Sequence, residues 1–478
     1  MSKAISNTEP SKSDPTMKDD KTISRREFLK RFGLGAALTT VALTGCAPKQ
    51  QKTTAKSASE PEVEKMTYRT TPTTGDRVSL LGYGCMRWPL ENQKDRNSPI
   101  DQEATNALVD YAIEHGVNYF DTAPVYGRGL SERVTGIALK RHPREKWFIA
   151  TKLSNMRDSS FAAAEAMYRN SFKELQVDYI DYYLLHSIGG GKGIATFHER
   201  FIDNGVMDFL LKEREAGRIR NLGFSFHGDV KTFDYALSLH DKYKWDFVQI
   251  QLNFVDWRHA EEQGSRNVNA EYLYNELAKR NIPSVIMEPL LGGRLATLND
   301  HLTARMQEAR PEDSIASWSF RLAGTPPHVL TVLSGMTYQE HLEDNLRTYS
   351  PLDPCTAEEL ELLEDTAQRY LKYPVINCTD CQYCMPCPYG IDSPGIFKHY
   401  NKCVNEGNVS TSSGDANYRK ARRAFLVGYD RSVPSLRQAS HCIGCEECME
   451  HCPQRIKIPQ QMQKIDAYVE ALKQGKEF

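Results

Sequence analysis

Two runs of cysteine near the C-terminal end carry the strongest chemical signal in this chain. Cys378, Cys381, Cys384 and Cys387 recur at every third position and are followed by Pro388. About fifty residues later Cys442, Cys445, Cys448 and Cys452 repeat the theme and are followed by Pro453. Eight of the twelve cysteines therefore sit in two tight groups, a distribution that suits metal better than a disulfide framework. The second run has the spacing at which three thiolates bind one iron–sulfur cluster and the fourth reaches across to another. Zinc sites use paired Cys-x-x-Cys units, not four close ligands in succession. Two [4Fe–4S] clusters are the expectation. Only two residues separate Cys384 from Cys387, which leaves open which of them serves the second cluster and whether Cys403 substitutes. Cys85, Cys355 and Cys403 read as ordinary buried thiols.

A second set of reactive side chains is dispersed: Asp121, Tyr126, Lys152 and His186. Tyrosine, with an unperturbed pKa of about 10, is a poor proton donor unless something favours its ionised form. A lysine ammonium beside it does so, a carboxylate keeps that ammonium charged and in place, and a histidine can fix a carbonyl oxygen by hydrogen bonding. Together the four suit carbonyl reduction. Taken singly, each has a plainer reading: a cap, a packed loop aromatic, a solvated lysine and a satisfied core histidine.

The sequence between residues 67 and 350 supplies elements that can bring the four together. Ala104, Ala107, Leu108, Tyr111 and Ala112 recur at helical spacing and stop at Gly116, where a left-handed C-cap is expected. Strands are expected at Leu80–Cys85, Tyr119–Asp121, Trp147–Thr151, Ile180–Leu185, Ile219–Ser225, Phe247–Gln251, Ser284–Met287 and Val329–Leu333. Eight strand-then-helix units fit a (β/α)8 barrel, typically ~250 residues long. No Gly-x-Gly-x-x-Gly follows the first strand, which counts against an open dinucleotide-binding sheet. Barrel chemistry sits at the C-terminal ends of the strands. That rule puts Asp121, Tyr126, Lys152 and His186 around one mouth, with Lys152 ending the third strand and His186 the fourth.

The words around these residues, Tyr119-Phe120-Asp121-Thr122-Ala123-Pro124-Val125-Tyr126-Gly127, Ala150-Thr151-Lys152 and Leu184-Leu185-His186, resemble the aldo/keto reductase family over residues 67–350. The resemblance implies a TIM barrel using NAD(P)H for direct hydride transfer. Tyr126 would be the general acid, Lys152 would lower its pKa, Asp121 would hold Lys152, and His186 would orient the carbonyl of a small carbonyl or alcohol substrate. Ser225 and Gln249 match residues that grip the nicotinamide carboxamide, and Met287 stands where relatives often stack an aromatic ring. Gly292 and Gly293 would let backbone N–H groups approach a pyrophosphate, or form a plain turn. Gly335, His341, Asp344 and Asn345 correspond to the adenosine end. NADPH-preferring relatives place basic side chains there, whereas this chain offers Gly335, Met336 and His341, so NADH and NADPH both stay open.

The helical stretches expected at 394–406 and 416–429, between the cysteine runs, resemble the α-helical ferredoxin type of domain. Proline-marked residues 351–374, with one helix, join it to the barrel, and the cluster domain would span 375–478. At the other end, Ser24-Arg25-Arg26-Glu27-Phe28-Leu29-Lys30 and the short apolar stretch from Phe32 to Leu43 resemble a twin-arginine export signal. Leu43-Thr44-Gly45-Cys46 looks like a lipobox, so residues 1–46 would be a signal, Cys46 a lipid anchor in the cell envelope and 47–66 a flexible tether. Sixty basic against 62 acidic residues give a formal charge of −2, which argues against a nucleic-acid partner.

Nicotinamide moves two electrons at once and each cluster takes one, yet the chain has no flavin motif. A bound flavin or a redox partner protein would reconcile the counts, or the clusters would be structural. A different class of reading is an electron-transfer or docking lipoprotein whose barrel does not turn over.

Overall fold

The computed structural model describes residues 65–475, apart from 94, 96, 265 and 266. The export and lipobox motifs at 24–46, and the tether up to residue 64, lie outside the described residues.

A short antiparallel hairpin comes first, β1 (Tyr68–Thr70) with β2 (Arg77–Ser79). Eight parallel strands then close into a barrel: β3 (Leu81–Gly84), β4 (Tyr119–Asp121), β5 (Phe148–Leu153), β6 (Ile180–Ile188), β7 (Ile219–Phe226), β8 (Phe247–Gln251), β9 (Ser284–Met287) and β10 (Val329–Ser334). β10 pairs with both β3 and β9 and so removes every open edge. Three of the expected strands coincide with the observed ones and the rest differ by one to three residues. β6 continues through Ile188 and β5 through Leu153, so His186 and Lys152 lie just inside their strands, not at the ends. The C-terminal stops of parallel strands carry no strong sequence signal, because hydrogen bonding to both neighbours can extend a strand beyond its apolar run.

Each strand is buried on both faces, as expected where helices cover a parallel sheet. Inside, Tyr119, Ala150, Tyr182, Leu184, Phe247, Val285, Leu330 and Leu333 form one packed cluster. The Tyr182 ring anchors it, meeting Phe247 edge-on at 5.2 Å and Phe148 at 6.0 Å. That plug leaves the upper ends of the strands for polar side chains. Arg69 of the hairpin donates to the carbonyls of Gly324, Pro326 and Val329 at 2.5 Å each, tying the first strand to the last helix–strand unit.

Asp101 caps the helix Gln102–Glu114 by accepting from the Ala104 N–H at 2.9 Å. Gly116 ends it at φ +89°, where the Tyr68 hydroxyl bonds its carbonyl at 2.9 Å and leaves no room for a side chain. After the barrel, the helix Ala357–Tyr370 opens with a capping box between Thr356 and Glu359, and the Arg321 guanidinium bonds Glu359 at 2.8 Å. The helices Ser393–Asn405, Tyr418–Ser432 and Ile458–Gln474 then pack Ile396, Phe397, Phe425, Tyr429, Met462 and Ile465 into a separate core.

Glu132 is buried on the helix Ser131–Leu139 and accepts from the Thr151 hydroxyl at 2.6 Å. Burial pushes its carboxyl up to about 7 from 4.5. The folded chain therefore holds a proton that the unfolded chain has released, and stability falls as pH rises from about 4.5 to about 7. Glu132→Gln, neutral throughout, is expected to melt progressively higher than wild type across that window by a few degrees, with the gap level above it. Thermal melts from pH 5 to 8 test this; a gap that does not change with pH refutes it.

Candidate active site

The barrel brings the dispersed tetrad together. Asp121 ends β4, and its Oδ1 accepts from Lys152 Nζ at 2.5 Å; the same ammonium donates to the Thr122 carbonyl at 2.8 Å. Lys152 is fully buried. Its nitrogen stands 4.8 Å from the centre of the Tyr126 ring, and that ring meets His186 edge-on at 6.1 Å. Tyr126 begins a tight turn after β4, in which Gly127 and Arg128 take left-handed conformations. His186 Nδ1 lies 2.6 Å from the Ser154 hydroxyl, and its Nε2 lies 3.3 Å from the hydroxyl of Tyr383.

The electrostatics sort these groups into roles. Burial, with Lys152, Arg200 and His227 close by, pushes His186 well below its ordinary value, so its ring is neutral. Burial likewise raises the Asp121 carboxyl, with Lys152 opposing. The Tyr126 phenol is pushed well above its ordinary value by burial, then by Tyr383, Asp121 and Glu288. This runs opposite to the expected effect of Lys152. The ammonium faces the ring and bonds Asp121 and Thr122, so desolvation outweighs it.

The positions expected to hold a nicotinamide cofactor divide. Ser225 and Gln249 are register partners on β7 and β8, both buried. The Ser225 hydroxyl oxygen accepts from the Ser187 N–H at 2.8 Å, and Gln249 Oε1 is buried with no hydrogen-bond partner among the described residues. An unanswered acceptor of that kind suits a carboxamide N–H. Met287 is buried at the end of β9. Gly292 does not face an open cleft: a Cβ there would stand 2.3 Å from the Thr379 carbonyl oxygen, whereas Gly293 faces open space. Gly335 packs against the Arg87 side chain, and His341 is exposed with its ring against Tyr338 at 5.2 Å. Asp344 accepts from Ser314 at 2.5 Å and Arg347 at 3.0 Å, and Asn345 donates to Ser334 at 2.9 Å, so both are engaged within the chain.

The eight clustered thiols fall into two groups of four. Cys378, Cys381 and Cys384 neighbour Cys452, and Cys448 neighbours Cys442, Cys445 and Cys387, while Cys384 also lies near Cys448 and so borders both sets. The fourth cysteine of each run thus lies toward the other run, Cys452 by Cys378, Cys381 and Cys384, and Cys387 by Cys448, which favours Cys387 as the fourth thiol of the second set. Asp380, Gln382 and Glu446 take left-handed backbone conformations between these positions and turn the chain tightly. A cavity of about 90 Å³ is lined by Cys384, Cys387, Cys442, Cys445 and Cys448. Burial pushes the thiols up, to about 12 at Cys378 and about 11 at Cys448, so thiolates there call for a positively charged metal partner. Among the described residues no group of three or more His, Cys, Asp or Glu forms a single-ion site. Cys403 packs in the helical core beside His399, and Cys85 and Cys355 are buried in the barrel and the joint.

Residues 80–367 match the aldo/keto reductase family, and residues 377–457 match a 4Fe-4S dicluster domain. The chain belongs to the aldo/keto reductase family. It is 36% identical over 200 residues to probable aldo-keto reductase 1 of Glycine max, a stretch covering 40% of this chain and 52% of that one. It is 27% identical over 308 residues to the uncharacterized oxidoreductase YqkF of Bacillus subtilis, covering 60% and 92%. The chain thus spans about half the length of the Glycine max relative. A thermostable aldo-keto reductase solved with the inhibitor epalrestat shares the fold at 23% identity and a TM-score of 0.50, over 63% of this chain and 100% of that one.

In this aldo/keto reductase the 4Fe-4S domain roofs the barrel mouth. Arg87 donates to the Thr379 carbonyl at 2.6 Å, Arg455 to the Gly189 carbonyl at 2.8 Å, and Gln454 to Gln251 at 3.2 Å. Ser154 and Tyr383 complete the surroundings of His186 and were missed from the sequence. Ser154 had a signal, since it lies two residues beyond Lys152, just past the end of β5, where the strand's alternation returns to the same side. Tyr383 had none, because its neighbours come from a different domain.

Gly292 is where that roof presses closest. Alanine there must take φ +69° and meet the Thr379 backbone, whereas Gly293→Ala pays only for its left-handed backbone, about 1–2 kcal/mol. Gly292→Ala is expected to destabilise clearly more than Gly293→Ala and to expose the backbone around Thr379 to protease. Melting and limited proteolysis compare them; equal behaviour refutes the close contact.

Proposed function

We propose that this protein is an exported iron–sulfur oxidoreductase that interconverts a small carbonyl compound and its alcohol with a nicotinamide cofactor. The observation that carries the reading is the buried Lys152 ammonium, held by Asp121 and Thr122 against the Tyr126 ring, with neutral His186 beside it. Tyr126 hands its proton to the carbonyl oxygen or takes one from the alcohol, and His186 hydrogen-bonds that oxygen and sets its angle. Lys152 stabilises the negative charge that Tyr126 acquires, and Asp121 keeps the ammonium in place. Gln249 and Ser225 fit the carboxamide of a nicotinamide, which when bound supplies the hydride. The two groups of four thiols fit two [4Fe–4S] clusters, which when bound supply one-electron capacity; Cys387 and Cys452 cross-link the cysteine runs around them. A flavin or a redox partner protein would convert hydride to single electrons, and a purely structural role needs neither.

The twin-arginine motif supports export after cofactor loading, and Cys46 supports a lipid anchor in the cell envelope. A second reading, an electron-transfer or docking lipoprotein with a non-catalytic barrel, is favoured by one observation: Thr379 fills the space over Gly292, where a pyrophosphate would approach.

Anaerobically purified protein is expected to bind NADH or NADPH, and Tyr126→Phe to lose roughly 10²–10⁴-fold in carbonyl reduction with iron and acid-labile sulfide unchanged. Failure to bind either nucleotide leaves the second reading standing. Cys387→Ser is expected to lose about half of the iron and Cys403→Ser none, if two clusters are held as assigned. Iron analysis decides this, and full iron in Cys387→Ser overturns the assignment.

A further inference from the structure

Tyr383 lies between Cys381 and Cys384, in the first cysteine run, yet its hydroxyl is inside the barrel mouth. It stands 3.3 Å from His186 Nε2, and its ring meets the His186 ring edge-on at 6.0 Å and 82°. The Tyr126 ring meets the same imidazole edge-on at 6.1 Å and 83°, and the Tyr126 and Tyr383 phenols are close enough to perturb one another electrostatically. One oxygen from the iron–sulfur domain therefore stands against the imidazole that a substrate oxygen must reach, beside the Tyr126 phenol. The other side of His186 is held by Ser154 at 2.6 Å, so Nε2 is the nitrogen that faces the mouth. The loop is fixed from both sides: Arg87 bonds the Thr379 carbonyl, and Thr379 presses on Gly292.

We propose that Tyr383 is a substrate-site residue supplied by the iron–sulfur domain, its hydroxyl holding the place of the substrate oxygen between Tyr126 and His186 and its ring limiting the size of the substrate. The inference rests on the carbonyl site read above. A substrate reaches His186 only by displacing the Tyr383 hydroxyl from it, so the tyrosine weakens binding without taking part in proton transfer. Its ring walls the space above the reacting oxygen, which favours small, unbranched carbonyl compounds. Because the two cysteines beside it belong to one thiol group, the active site is complete only when that domain is folded.

The test uses the full chain, purified anaerobically, as wild type, Tyr383→Phe and Tyr383→Ala, with iron and sulfide measured in each. Tyr383→Phe keeps the ring and removes the hydroxyl. It is expected to lower the KM for butanal about tenfold with kcat within about twofold, and to tighten calorimetric binding of butyrate, a non-reacting oxygen ligand, by a similar factor. Tyr383→Ala is expected to raise kcat/KM for a branched ketone relative to butanal. If alanine costs the cluster its iron, the phenylalanine variant alone decides. An unchanged or higher KM together with unchanged butyrate affinity, at full iron content, overturns the proposal. Tighter butyrate binding in Tyr383→Phe, in a protein that neither binds nucleotide nor turns over, upholds the place of Tyr383 and sinks the reductase reading instead.

Discussion

An ammonium taken wholly out of water is the constraint around which this molecule is arranged. Lys152 is fully buried, and such a charge is tolerated only when it is paired and hydrogen-bonded. Asp121 and the Thr122 carbonyl meet that demand from the next strand, so the register of β4 against β5 and the polarity of the site are one fact. The aromatic plug below Lys152 excludes water from beneath, and Tyr126 covers it from the side. The arrangement keeps a positive charge fixed where a phenolate would form, which is worth more in a dry site than in solvent.

The roof matters because it decides how dry that site is. Thr379, Tyr383, Gln454 and Arg455 come from a domain with its own helical core, yet each bonds or presses on the barrel's upper rim. Arg455 also adds to the positive field around His227, whose ring is pushed down to about 4 chiefly by burial. The cysteine runs therefore have two tasks. Their thiols gather into two fours, and the residues between the thiols finish the wall of a neighbouring pocket. This ties the folding of the cysteine-bearing domain to the geometry around His186.

The same roof sets the main tension in the functional reading. Gln249 offers an unanswered acceptor where a carboxamide would lie, while the glycine expected under a pyrophosphate is pressed by Thr379. Asp344 and Asn345 spend their polar atoms on Ser314, Arg347 and Ser334. The end of the pocket at Ser225 and Gln249 thus keeps an open acceptor, whereas the end at Gly292, Asp344 and Asn345 is taken up by Thr379 and by contacts within the chain.

Much of this was legible in the residues. The eight strands announced themselves as short β-rich runs, because a parallel strand buried on both faces must be apolar throughout. Asp121, Tyr126 and Lys152 could be grouped because chemistry in such barrels gathers at one end, and the thiols because metal ligands from one loop must be close in sequence. Three things were decided only by the fold. Desolvation, not Lys152, governs the Tyr126 phenol, since burial depends on everything packed around it. Cys387 lies beside Cys448 in the second thiol set because the fold brings the two cysteine runs together, which spacing alone left open. Tyr383 reached His186 because two separately folded parts dock, and contacts across nearly two hundred residues of chain leave no periodicity for a sequence to display.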